Sequence, residues 1–92
     1  MPFKYDFSDE LEEVLAKFFK KDRRRYEIIL AKVEEVIQRD EETIEYYKNL
    51  RHGLKEYKRV HIDKSFVLLF VVFKKEKFIL FDKFGHHDNI YK

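Results

Sequence analysis

Ninety-two residues, 41% of them charged and 45% hydrophobic, with two Gly, one Pro and no Cys, hold one small core. They exclude a two-domain enzyme, a disulfide scaffold and a thiolate metal site. The net charge of +2 is uneven: residues 1–50 carry ten Lys/Arg against thirteen Asp/Glu (−3), whereas residues 51–92 carry ten against five (+5) and all four His, the balance that attracts a polyanion.

Ten Phe and six Tyr argue against a disordered chain. The longest apolar run, Phe66 to Phe73, has eight residues where a membrane helix needs about 18, and Met1-Pro2-Phe3-Lys4 lacks the apolar core of a signal peptide. A single cytoplasmic domain over residues 1–92 is expected. Abundant Lys, Arg and Glu without Cys is a composition also found in thermophile proteins.

Phe3, Tyr5 and Phe7 alternate with Lys4 and Asp6, the period of a short half-buried strand. Ser8 is a helix N-cap followed by Asp9 and Glu10, and Leu11, Val14, Leu15, Phe18 and Phe19 give residues 9–20 one apolar face. Asp22 caps a second helix, with Tyr26, Ile29, Leu30, Val33, Val36 and Ile37 as its apolar positions, reaching about Arg39 and lying antiparallel to the first. Arg23-Arg24-Arg25 at its start opposes the helix dipole, serving either a partner or a solvated corner. Residues 40–50 hold one or two turns.

From Leu54 the period changes. Tyr57 to Ile62, Phe66 to Phe73 and Phe78 to Phe84 read as strands, the last two joined by the polar connection Lys74-Lys75-Glu76-Lys77 and therefore antiparallel. The expected fold is α+β: a short N-terminal strand, a two-helix hairpin, then a three-strand antiparallel meander, with the helices on one face of the sheet. Phe66 to Phe73 is apolar at every position, so its other face needs cover from strand ends, the C-terminal aromatics or a partner.

No phosphate loop, nucleophile elbow or dinucleotide fingerprint is present. The chemistry left is imidazole, ammonium and phenol: His61 between two strands, and Lys83, His86, His87 and Tyr91 at or beyond the end of the last. This set suits cleavage of RNA by a 2′-hydroxyl, which needs a base, an acid and a cation near the phosphorane, and needs no cofactor or metal. His61, Asp63, His86, His87 and Asp88 include metal-binding types, but adjacent side chains such as His86 and His87 often diverge, and no metal site is expected.

Two segments carry a resemblance. Leu54-Lys55-Glu56-Tyr57-Lys58-Arg59-Val60-His61-Ile62 and Lys83-Phe84-Gly85-His86-His87-Asp88-Asn89-Ile90-Tyr91, set in this order of elements, resemble the RelE/ParE toxin superfamily and its YafQ-type branch. In that branch a His-Ile pair enters a strand and the chain ends basic-x-Gly-x-His-x-x-x-aromatic, which His61-Ile62 and Lys83, Gly85, His87 and Tyr91 match. Ser65-Phe66 stands where the branch has an acidic-aromatic pair, and Lys83, a point charge, where it has Arg.

The resemblance implies an endoribonuclease that cuts messenger RNA in the ribosomal A site, with a cognate acidic antitoxin wrapping it. His61 and His87 would be acid and base, Lys83 the cation at the phosphate, and Tyr91 a stacking or proton-transferring group. Arg51, Lys55, Lys58, Arg59, Phe66 and His86 would meet RNA, and leftover apolar surface would take the antitoxin. The alternatives are a gyrase-inhibiting toxin of the ParE type and a degenerate homologue that only binds its antitoxin.

Overall fold

The period-two stretch at the N-terminus forms strand β1 (Lys4–Phe7) in the computed structural model, which describes residues 2–50 and 56–90. Ser8 then serves two elements. Its Oγ accepts from Leu11 N–H at 3.1 Å, capping helix α1 (Asp9–Lys21), and donates to the Asp82 carbonyl at 2.7 Å, fixing the helix start to the sheet.

Asp22 alone separates α1 from α2 (Arg23–Ile37). Its N–H closes α1 on the Phe18 carbonyl at 2.8 Å, and its carboxylate caps α2 by accepting from Arg25 N–H at 3.1 Å. Phe19 meets Tyr26 at 5.1 Å while Leu15 and Leu30 line one cleft, the pairing of an antiparallel hairpin. Phe19 itself is 45% exposed, under the Arg23 guanidinium at 3.8 Å, and Arg25 lies over Phe66 at 4.4 Å. Two members of the arginine triplet thus cover aromatic rings. α2 stops two residues short of Arg39, whose Nε donates to the Tyr47 hydroxyl at 3.3 Å.

A single 3-10 turn (Thr43–Tyr46) follows, and then strands β2 (Lys58–Ile62), β3 (Phe66–Phe73) and β4 (Phe78–His86) and a one-turn helix α3 (His87–Ile90). The sheet order is β1-β4-β3-β2. β2, β3 and β4 form the expected antiparallel meander. β1 lies parallel to β4, so the sheet is mixed, the intervening chain supplying the crossover that a parallel pair requires. No helix among the described residues is long and apolar enough to cross a membrane.

Val60, Ile62, Leu68, Phe70, Ile79 and Phe81 bury against Leu11, Leu15, Ile29, Val33 and Val36 of the helices. The opposite face of β3 is closed by the chain itself over its first half, where Val67 and Leu69 pack with Leu50, Tyr57 and Ile90, while Val71 is half-buried and Phe73 exposed. Within β4, Phe81 stands opposite Phe70 but Lys83 opposite Leu69, so Asp82 is an extra residue, a β-bulge. The bulge shifts the alternation by one. Phe81 and Phe84 both pack with the helix-side core, and Lys83 and Gly85 fall in the rows of Leu69 and Val67 on the other face.

Candidate functional site

Register assembles the site at one end of the sheet. His61 on β2 lies opposite Val67, which lies opposite Gly85, so two strand spacings, roughly 10 Å, separate the backbones of His61 and the β4 terminus. His86 ends β4 and His87 opens α3, and the His87 N–H donates to the Ser65 carbonyl at 2.8 Å, tying the C-terminal segment to the β2–β3 turn. His61 is exposed, and His86 and His87 are half-buried.

The adjacent imidazoles do not diverge. Their rings stack with centroids 4.8 Å apart. His86 Nδ1 accepts the Asp88 N–H at 3.2 Å, while His87 Nδ1 stands 2.9 Å from Asp88 Oδ1. His86 Nδ1 also lies 3.6 Å from Asp88 Oδ2, so one carboxylate faces both rings. The shorter approach is to His87 Nδ1, which leaves the Nε2 of that ring as the atom turned to a substrate. Among the described residues, His86, His87 and Asp88 also bring three donor atoms within 4.8 Å, a set capable of metal ligation that His61 and Asp63 do not join.

Lys83 lies in the row of Arg59 and Leu69, and its Nζ is 3.4 Å from Glu10 Oε1 at the start of α1. The bulge residue Asp82 accepts from the Tyr57 hydroxyl at 2.5 Å, and this bond to the carboxylate pushes the phenol up to about 12. The expected RNA-contacting residues divide. Lys58 departs from expectation: it is 5% exposed, and its Nζ donates to Glu45 at 3.0 Å, the Tyr47 carbonyl at 3.1 Å and Asn49 Oδ1 at 2.8 Å, so all three ammonium protons are used inside the fold. Phe66 is engaged within the molecule, stacked on Phe84 at 5.3 Å and edge-on to His86 at 5.6 Å. Arg59 is half-buried on the β2 edge strand. Arg51, Lys55 and Tyr91 lie outside the described residues.

Four residues take roles here that the sequence did not assign them. Asp88 orients His87, Tyr57 and Asp82 clasp the strand lead-in to the bulge, and Arg25 reaches the Phe66–His86 corner. The adjacency of Asp88 to His87 was the one signal the sequence carried. The others are distant along the chain.

No family model matches the chain. A Methanocaldococcus jannaschii protein carrying the name of a candidate toxin, RelE4, is 46% identical over 90 residues, 98% of this chain and 92% of that protein. The solved structure of an Escherichia coli RelE toxin mutant in the free state is 20% identical and superposes with a TM-score of 0.72 over 99% of this chain and 90% of its own. The RelBE2 toxin–antitoxin complex of Mycobacterium tuberculosis gives 0.65 at 22% identity, covering 94% of this chain and 99% of the other. Escherichia coli YafQ gives 0.62 at 14%, covering 98% and 99%. The fold of these structures and the identity to the archaeal relative together place the chain in the RelE family of toxins.

Proposed function

We propose that this protein is a ribosome-dependent endoribonuclease that silences translation by cutting messenger RNA in the A site, held in check by an antitoxin. The observation that carries this reading is the pair of stacked imidazoles held around Asp88, with His87 Nδ1 at 2.9 Å from its carboxylate, at the sheet end that also receives His61.

In this reaction His87 Nε2 takes the proton of the 2′-hydroxyl, and the freed oxygen attacks the adjacent phosphorus. The P–O5′ bond breaks, leaving a 2′,3′-cyclic phosphate, and His61 protonates the departing 5′-oxygen. Lys83 offsets the charge that builds on the phosphorane, and the resemblance assigns Tyr91 the role of a stacking or proton-transferring group. The antitoxin reading is supported by the complex formed by the structurally similar RelBE2 toxin. Its candidate surface here is the apolar cleft of about 380 Å³ between the helices, lined by Phe7, Leu15, Phe19, Tyr26 and Leu30.

The test adds purified protein to a programmed ribosome and maps message ends by primer extension. Discrete A-site cuts are expected, reduced at least about a hundredfold by His87→Ala and also lowered by His61→Ala, with the fold intact. An uncut message with the wild-type protein overturns the nuclease reading and redirects it to a gyrase-directed or purely antitoxin-binding role.

A further inference from the structure

At the outer edge of β2, His61 also lines a second cleft of about 470 Å³, together with Lys32, Glu35, Tyr46, Tyr47, Lys48, Arg59 and Val60. Its lining carries more positive than negative charge. Lys32 and Glu35 pair with each other at 3.1 Å, and Lys48 and Arg59 add two further cations. On its wall stands Tyr46, 73% exposed, while the next residue, Tyr47, turns inward onto Phe70 at 5.5 Å.

The platform under Tyr46 is built rigidly. Asp40 Oδ1 accepts the N–H groups of Glu42 and Thr43 at 3.0 and 2.8 Å, Ile44 is fully buried, and Glu45 pairs with Lys58 and Lys74. An aromatic ring held on a fixed turn, beside cations and in open solvent, loses little conformational freedom when a flat ligand stacks on it.

Resting on the nuclease reading for which strand enters, we infer that this cleft binds single-stranded RNA flanking the bond to be cut. Tyr46 stacks one base, Lys48 and Arg59 hold the adjoining phosphates, and His61 marks where the strand passes into the imidazole site. Stacking on an exposed ring favours an unpaired nucleic acid over an acidic protein segment, which would use the cations and leave Tyr46 idle.

The test is fluorescence anisotropy of a labelled ten-nucleotide single-stranded RNA with the full chain. Tyr46→Ala is expected to weaken Kd by roughly five- to a hundredfold and Tyr46→Phe to preserve it, the exposure of the side chain keeping both variants folded. Lys48→Ala is expected to flatten the salt dependence by about 0.7 in log–log slope, and Lys75→Ala, on the exposed β3–β4 turn, to bind as wild type. Unchanged affinity in Tyr46→Ala, equal binding of a duplex, or equal competition by polyglutamate overturns the inference. The assay involves no cleavage. Binding that depends on Tyr46 with an uncut ribosomal message supports the cleft and removes the nuclease reading, and loss of cutting in His87→Ala with an unchanged Kd leaves the cleft in place.

Discussion

Tyr57 and Asp82 lie 25 positions apart, and their bond works against ionisation of the phenol. Because the folded phenol is raised to about 12 from 10.0, the bond contributes stability that is fully present below about pH 10 and disappears as pH rises toward 12. Tyr57→Phe should therefore cost about 1.5 kcal/mol at pH 8, the low end for a hydrogen bond to a charged group, and the gap should narrow by about pH 11 as the unfolded phenol ionises. Urea unfolding at the two pH values measures this. At the same scale, the position of His87 just beyond the last strand was legible from the sequence, since it follows from where the strand's apolar period ends. Lys58 was not. A Lys between Tyr57 and Arg59 reads as surface, and only the approach of Glu45, Tyr47 and Asn49 turns its ammonium inward.

The elements follow their sequence periods closely, with residues 9–20 becoming Asp9–Lys21 and Phe66 to Phe73 unchanged. The 3-10 turn is different, because tertiary ion pairs fasten it. Glu45 is held below the usual carboxylate range first by Lys74 and then by Lys58, and Asp40 is lowered chiefly by the Thr43 N–H. A lowered carboxyl contributes stability above its unfolded pKa and loses it as pH falls through the folded one. Wild type and Glu45→Gln should accordingly separate in urea midpoint at pH 7 and coincide near pH 2, with wild type the more stable at neutrality. The difference should shrink in high salt, since Glu45 and Lys74 are about half exposed.

For the molecule as a whole, the eight-residue apolar strand posed the question of what covers its second face. Leu50, Tyr57 and Ile90 close over Val67 and Leu69, a small second core made by the chain itself that leaves Phe73 at the strand's far end exposed. Leu69→Ala should cost about 2–5 kcal/mol by chemical denaturation, as for a fully buried leucine, and Ile90→Ala, at its half-buried rim, clearly less. By itself the sequence determined the elements, the antiparallel meander, the charge bias and the His-rich ending, because hydrophobic period, capping and short turns act over neighbouring residues. Tertiary structure alone decided the parallel seat of β1 on β4, the bulge at Asp82, the inward turn of Lys58 and the meeting of Tyr46 with Lys48, Arg59 and His61 in one cleft. Each of these joins residues through strand pairing or long-range packing, whose partners no local pattern encodes.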